Sequence, residues 1–182
     1  MTRSATLTDG DTAHAARNGL GDGRLRQKVE ALSSPAIYPH GPDSVEVVET
    51  HMSFVFLAGE RVYKLKKPVR YPFLDFTTLA ARRANCEAEV RLNRRLAPEI
   101  YLGVVPLVTG PDGTLALHAD GEEVDVLVVM RRLPEPRMLD RTIAAGRLVE
   151  ADLDRIAAAL AAFYSTAERP ALDPADHLAV LA

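Results

Sequence analysis

The residues of this chain best suited to chemistry are a cluster of lysines at a strand end and a glutamate further along. The run Glu60-Arg61-Val62-Tyr63-Lys64-Leu65-Lys66-Lys67-Pro68 is followed by Cys86-Glu87-Ala88-Glu89-Val90 in a strongly helical segment. A lysine held by a carboxylate is a fixed positive charge that can meet phosphate oxygens, which is what phosphoryl transfer needs. On a wheel at about 100° per residue, Glu89 falls inside an apolar arc, with Leu92 and Leu96 on one side and Leu79, Cys86 and Val90 on the other. An ionised carboxylate there loses solvation unless a cation meets it. Glu87 falls outside the arc and reads as solvated. In the strand, period-two alternation puts Val62, Lys64 and Lys66 on one face and Tyr63, Leu65 and Lys67 on the other. Lys64 has strand residues on both sides, while Lys66 lies nearer the break at Pro68, so the choice of phosphate lysine between them stays open. A solvated lysine triplet at a strand end is the competing explanation, and these features alone leave the two balanced.

The elements that must position these residues follow from periodicity and breaks. Residues 1–22 are rich in Thr, Asp, Ala and Gly without sustained apolar periodicity, which predicts a disordered segment. Leu25, Val29 and Leu32 predict a short amphipathic helix stopped by Ser33-Ser34-Pro35. Val45–Thr50, Phe54–Ala58 and Arg61–Leu65 predict an antiparallel meander of three strands, the last two joined by a Gly59-Glu60 turn. A helix is expected from Thr77 to Leu96, ended by Ala97-Pro98. Gly103–Thr109 is a fourth strand; the Pro111-Asp112-Gly113 turn leads through Thr114–Leu117 to Val124–Met130, whose near-continuous apolar run predicts a fifth, buried strand. Residues 131–137, stiffened by Pro134 and Pro136, read as a hinge. Residues 138–182 then form a helical part, with helices near Leu139–Ala145 and Glu150–Ala167, the latter carrying Leu153, Ile156, Leu160 and Phe163 on one face. That stripe and the apolar end Leu178–Ala182 have no evident partner, which suggests packing against further helices or self-association.

Composition narrows the class. The 182 residues carry 26% charged residues and a net charge of −3, as in an ordinary soluble globular protein. No apolar run approaches the ~20 residues that span a bilayer, and the N-terminus, with Asp9 and Asp11, lacks the features of a secretory or transit signal. The single Cys86 lies on an apolar helix face, so a reducing cytoplasm is the expected setting and a structural role the expected one. His14, His40, His118 and His177 show no metal-ligand spacing.

The segment from Val47 to Val69 resembles the start of the kinase-like domain of the aminoglycoside phosphotransferase superfamily, and more closely the bacterial proteins that join such a domain to a C-terminal P-loop ATPase or gluconate-kinase-like domain. Phe73–Leu79, Glu87–Pro98 and Tyr101–Pro106 continue the likeness in order, and together it spans roughly residues 36 to 141. The resemblance implies an α+β fold: a protein-kinase-like N-lobe over residues 23–130, with a five-stranded, mostly antiparallel sheet and one long helix, then the hinge and the first helices of an incomplete helical C-lobe. It implies ATP as ligand, with Mg²⁺ and a small-molecule acceptor in a complete enzyme. Lys64 matches the phosphate-binding strand lysine and Glu89 its helix partner. Met130 falls at the gatekeeper place, and Arg131 to Leu133 at the hinge whose backbone groups would hydrogen-bond adenine.

Two departures temper this. The first turn is Glu49-Thr50-His51-Met52-Ser53 and has no Gly-x-Gly-x-x-Gly, so any phosphate cover must use backbone N–H groups of His51, Met52 and Ser53. The family's His-Gly-Asp catalytic loop and metal-binding aspartate have no counterpart; Asp173-Pro174-Ala175-Asp176-His177 reads as a loop. The expectation is therefore a nucleotide-binding lobe of a chain cut before its catalytic loop, without rapid phosphoryl transfer of its own. Two alternatives stand beside it. One is an interaction module that binds nucleic acid or an acidic protein through Arg82, Arg83, Arg91, Arg94 and Arg95, against which the acidic net charge and the lack of interleaved aromatics argue. The other is an inactive remnant.

Overall fold

A computed structural model of the chain describes residues 19–168. They divide into two compact units at the Arg132–Leu133 junction.

The first unit begins with α1 (Gly19–Ser33), which starts before the helix expected from Leu25 and takes in residues expected to be disordered. Residues 1–18 of the expected disordered segment, and the apolar end at 178–182, lie outside the described residues. The strands are β1 (Val45–Glu49), β2 (Ser53–Ala58), β3 (Arg61–Lys66), β4 (Arg70–Tyr71), β5 (Leu74–Asp75), β6 (Tyr101–Thr109), β7 (Leu115–Leu117) and β8 (Glu122–Arg131), with α2 (Leu79–Asn93) between β5 and β6. Six of them form one antiparallel sheet in the order β1-β2-β3-β8-β6-β7, and β4-β5 is a separate two-stranded ribbon. The α+β class holds, but the expected five-strand count is corrected to six. The extra strand is β7, three residues pairing with Leu107–Thr109 at the sheet edge. So short a piece carries no readable alternation.

Local chemistry explains the main elements. The two-residue β2–β3 turn has Gly59 at φ +58°, which the first position of a type II′ hairpin requires. Thr78 caps α2 by accepting a hydrogen bond from the Ala81 N–H at 3.1 Å. Asp75, whose place before the helix suits a turn or a helix start, closes the preceding turn by accepting from the N–H and hydroxyl of Thr77. β8 is apolar from Val126 to Met130 because both sheet faces are covered where that stretch runs. On one face Leu32 and Tyr38 pack against Phe56, Tyr63, Leu65, Leu107, Leu127 and Val129, with Leu25 and Val29 of α1 at the margin. On the other, Cys86 and Val90 of α2 pack against Val126 and Val128, flanked by Leu79, Tyr101, Val104 and Met130.

α2 lies over β8 and β6. The same sheet face continues onto β3, β2 and β1, where the register places Val48, Val55 and Lys64 in one row and Leu57, Val62 and Met130 in the next. Val48 is exposed, and Val55, Leu57 and Met130 are half-buried. An apolar strip thus runs from α2 outward, with Lys64 at its inner edge.

The second unit holds a short 3₁₀ turn (Glu135–Arg137), α3 (Leu139–Ala144) and α4 (Glu150–Thr166). Asp152 caps α4 by accepting from the Val149 N–H at 3.2 Å, while the Val149 carbonyl accepts from the Asp152 N–H at 2.9 Å. The expected stripe on α4 is present, and Leu153, Ile156 and Leu160 on it are exposed.

Candidate functional site

The strand alternation that aligns Lys64 and Lys66 delivers both to α2. Lys64 Nζ donates to Glu89 Oε1 at 3.0 Å, and Lys66 Nζ donates to Glu89 Oε2 at 2.6 Å. One carboxylate therefore serves two ammonium groups, one on each oxygen. The two lysines differ in environment. The Lys66 side chain is 5% exposed and its ammonium lies 5.3 Å from the centroid of the Phe76 ring, whereas that of Lys64 is 30% exposed. Burial pushes the Glu89 carboxyl up, but hydrogen bonds from Lys66 and then Lys64 outweigh it and hold the group below the usual carboxylate range. Asn93, one turn on, donates its side-chain amide to the Glu89 carbonyl at 2.8 Å and so ties down the end of the helix.

The β1–β2 turn beside this pair is closed by its own side chains. Thr50 donates its N–H and its hydroxyl to the Ser53 carbonyl, and its Oγ1 accepts from the Ser53 N–H at 3.0 Å. The Met52 carbonyl accepts from the Lys67 N–H at 2.8 Å, and Lys67 pairs with Glu49 while its ammonium lies 4.7 Å from the Phe54 ring centroid. Ser53 is buried and its N–H is engaged, which departs from the expectation that it would cover a phosphate. His51 and Met52 sit exposed at the tip, and their N–H groups are the ones the turn can present.

At the other end of the strip, Met130 lies on the α2 face of β8 and is half-buried. The Arg131 N–H donates to the Ile100 carbonyl at 2.8 Å and the Arg132 N–H to the Glu60 carbonyl at 2.9 Å, so both amides pin the strand end to its neighbours. Leu133 is the first residue of the second unit and is exposed.

Sequence reasoning missed a second constellation. Asp125, 2% exposed, accepts from Arg82 Nε at 2.8 Å and Nη2 at 3.1 Å, from Lys28 Nζ at 2.7 Å and from the Val126 N–H at 3.0 Å. Arg82 also donates to the carbonyls of Phe76 and Thr77, and Lys28 to that of Val124. The triad ties α1, β8 and α2 together. Its signal was a lone aspartate inside the Val-rich β8 run, since a buried carboxylate demands cations. It also bears on the arginines of α2. Arg82 is buried in this triad, Arg83 pairs with Glu123 and Glu87, and Arg94 donates to the carbonyls of Tyr101 and Leu102. Of the five arginines, Arg82 is thus withdrawn from the surface, Arg83 is neutralised by carboxylates, and Arg94 stays exposed.

Cys86 is fully buried, and burial pushes its thiol up to about 11. A disulfide-exchange reagent will therefore label it at least ~100-fold more slowly in the native chain than in denaturant, from the thiolate fraction alone. Equal rates would show that α2 does not seal against β8. Among the described residues no cluster of three His, Cys, Asp or Glu is placed to hold a metal ion, and no helix is long and apolar enough to cross a membrane.

No family model matches the chain, and no solved structure matches it significantly. Over 125 residues it is 42% identical to an uncharacterized protein of Mycobacterium bovis, Mb2027c, and to uncharacterized proteins of two Mycobacterium tuberculosis strains, MT2060 and Rv2004c. The matched part is 69% of this chain and 23% of each relative, so the chain spans under a quarter of their length.

Proposed function

We propose that this chain is the nucleotide-binding lobe of a kinase-like phosphotransferase, with ATP as its ligand. The observation that carries the reading is the 3.0 Å contact from Lys64 on β3 to Glu89 on α2. A lysine so held is a fixed cation, and its side chain is partly exposed, as a group that is to meet a phosphate oxygen must be. The strip of Val48, Val55, Leu57 and Met130 beside it offers a flat apolar face of the kind an adenine ring covers. The exposed turn at His51 and Met52 supplies backbone N–H groups above the phosphates. Lys64 is the phosphate lysine in this reading, because Lys66 is enclosed. No catalytic base or metal ligand is assigned among the described residues, so phosphoryl transfer and the acceptor belong in this reading to a longer protein, such as the relatives of which the matched part is 23%.

Thermal-shift titration with Mg-ATP tests this. A ligand of the folded state stabilises it by RT ln(1 + [L]/Kd), about 2.7 kcal/mol at a hundredfold excess over Kd. The wild-type chain is expected to shift upward with nucleotide, and Lys64→Ala to shift at least tenfold less sensitively in concentration, since a charge-assisted contact to phosphate is worth about 1.5–3 kcal/mol. A flat wild-type titration, or an identical one in Lys64→Ala, overturns the reading.

A further inference from the structure

The site holds two ammonium groups for one carboxylate, and only one of them can reach a ligand. Lys64 and Lys66 bind different oxygens of Glu89, at 3.0 Å and 2.6 Å, so either can leave without displacing the other. Lys66 is enclosed by the sheet and the Phe76 ring, while Lys64 faces the open strip. An arriving phosphate draws Lys64 toward itself and adds negative charge close to Glu89. With a single lysine, that would leave a carboxylate of 15% side-chain exposure without a cation, and it would be driven either to keep Lys64 or to take up a proton. We propose that Lys66 is a positioning residue that keeps the Glu89 carboxylate charge-compensated and in place while Lys64 turns to the phosphate. This rests on the nucleotide-binding reading and deepens it, by dividing between two lysines the tasks of meeting the ligand and holding the glutamate.

The surroundings leave those two lysines as the groups that govern Glu89. From its own helix Cys86 is the titratable neighbour, and its buried thiol stays neutral at physiological pH. From β8 come Asp125, already met by Arg82 and Lys28, and Glu123, already met by Arg83. From β3 come Lys64 and Lys66 themselves.

The test uses the whole chain with Lys66→Met, which keeps the length and apolar stem of the side chain and removes the charge, and Lys66→Arg, which keeps the charge. In the ligand-free protein, carbon-13 NMR of the Glu89 carboxyl is expected to titrate at higher pH in Lys66→Met than in wild type, with Lys66→Arg close to wild type. With Mg-ATP, calorimetry in buffers of different ionisation enthalpy should show extra proton uptake on binding to Lys66→Met. The ratio of its Kd to that of wild type, in which the ligand's own titration cancels, should be about tenfold at pH 8 and shrink as the pH falls, because a proton on the variant's Glu89 carboxyl replaces the missing ammonium. A ratio independent of pH together with an unmoved Glu89 titration overturns the proposal and makes Lys66 a packing residue. A wild type that binds no nucleotide sinks the underlying reading, while the ligand-free titration still decides whether Lys66 compensates Glu89. Lys66→Gln, uncharged but able to donate to Oε2, gives the same readouts should the methionine variant fail to fold.

Discussion

Asp125→Ala is expected to lower the unfolding free energy by about 3–5 kcal/mol, the range for breaking a buried ion pair by removing one partner. Asp125 is 2% exposed and is the anion for both Arg82, itself 7% exposed, and Lys28, at 14%. Its removal strands a guanidinium between α2 and the sheet and leaves the Lys28 ammonium of α1 with the Val124 carbonyl and no anion. Arg82 would retain only the carbonyls of Phe76 and Thr77, which satisfy Nη1 and leave the charge uncompensated. Lys28→Ala is the milder change, near 1 kcal/mol, because the two Arg82 bonds keep Asp125 paired. Urea unfolding followed by circular dichroism checks the ranking. If Asp125→Ala and Lys28→Ala fall within error of each other, the triad is not the clasp joining the two helices to β8.

The clasp also shows where sequence reasoning reaches and where it stops. The Lys64–Glu89 contact was legible in part: the helical wheel put Glu89 inside an apolar arc that needed a cation, alternation offered Lys64 and Lys66 on one strand face, and the family resemblance singled out Lys64. Either periodicity alone fits a solvated residue. The sharing of Glu89 by Lys66 was legible only as an ambiguity, since alternation aligns residues 64 and 66 equally and says nothing of how deep each lies. Burial by Phe76 decides that, and it depends on the β4-β5 ribbon, whose two-residue strands carry no pattern. Asp125 was hidden for a different reason. The run around it reads as a buried strand whatever its identity, and its partners come from helices far away in sequence, so no local rule links them. Charge counted along α2 likewise says nothing of which carboxylates the fold brings opposite, so the pairing of Arg82 with Asp125 and of Arg83 with Glu123 was not legible.

Glu89→Ala is expected to destabilise the chain by about 3–5 kcal/mol, against at most about 1 kcal/mol for Lys64→Ala. The asymmetry follows from exposure. Without Glu89 the Lys66 ammonium, on a side chain 5% exposed, is left with the Phe76 ring and no anion, whereas loss of Lys64 leaves Glu89 still paired with Lys66 at 2.6 Å. The same pairing gives a pH signature. Because the folded state holds the Glu89 carboxyl below its unfolded value, its contribution is complete above the ordinary glutamate pKa of about 4.3 and is lost as the pH falls through the lower folded value. The gap in stability between wild type and Glu89→Ala should accordingly be constant from pH 8 to 6 and narrow in acid, which denaturant melts at each pH will read. A gap that instead widens in acid would mean the carboxyl is protonated in the native state and the two lysines do not hold it. Replacing both partners, with Glu89→Leu and Lys66→Met together, should recover most of the loss, since an apolar pair of similar volume often matches a buried ion pair. Stability regained without recovery of Mg-ATP binding would then assign these charges to the ligand rather than to the fold.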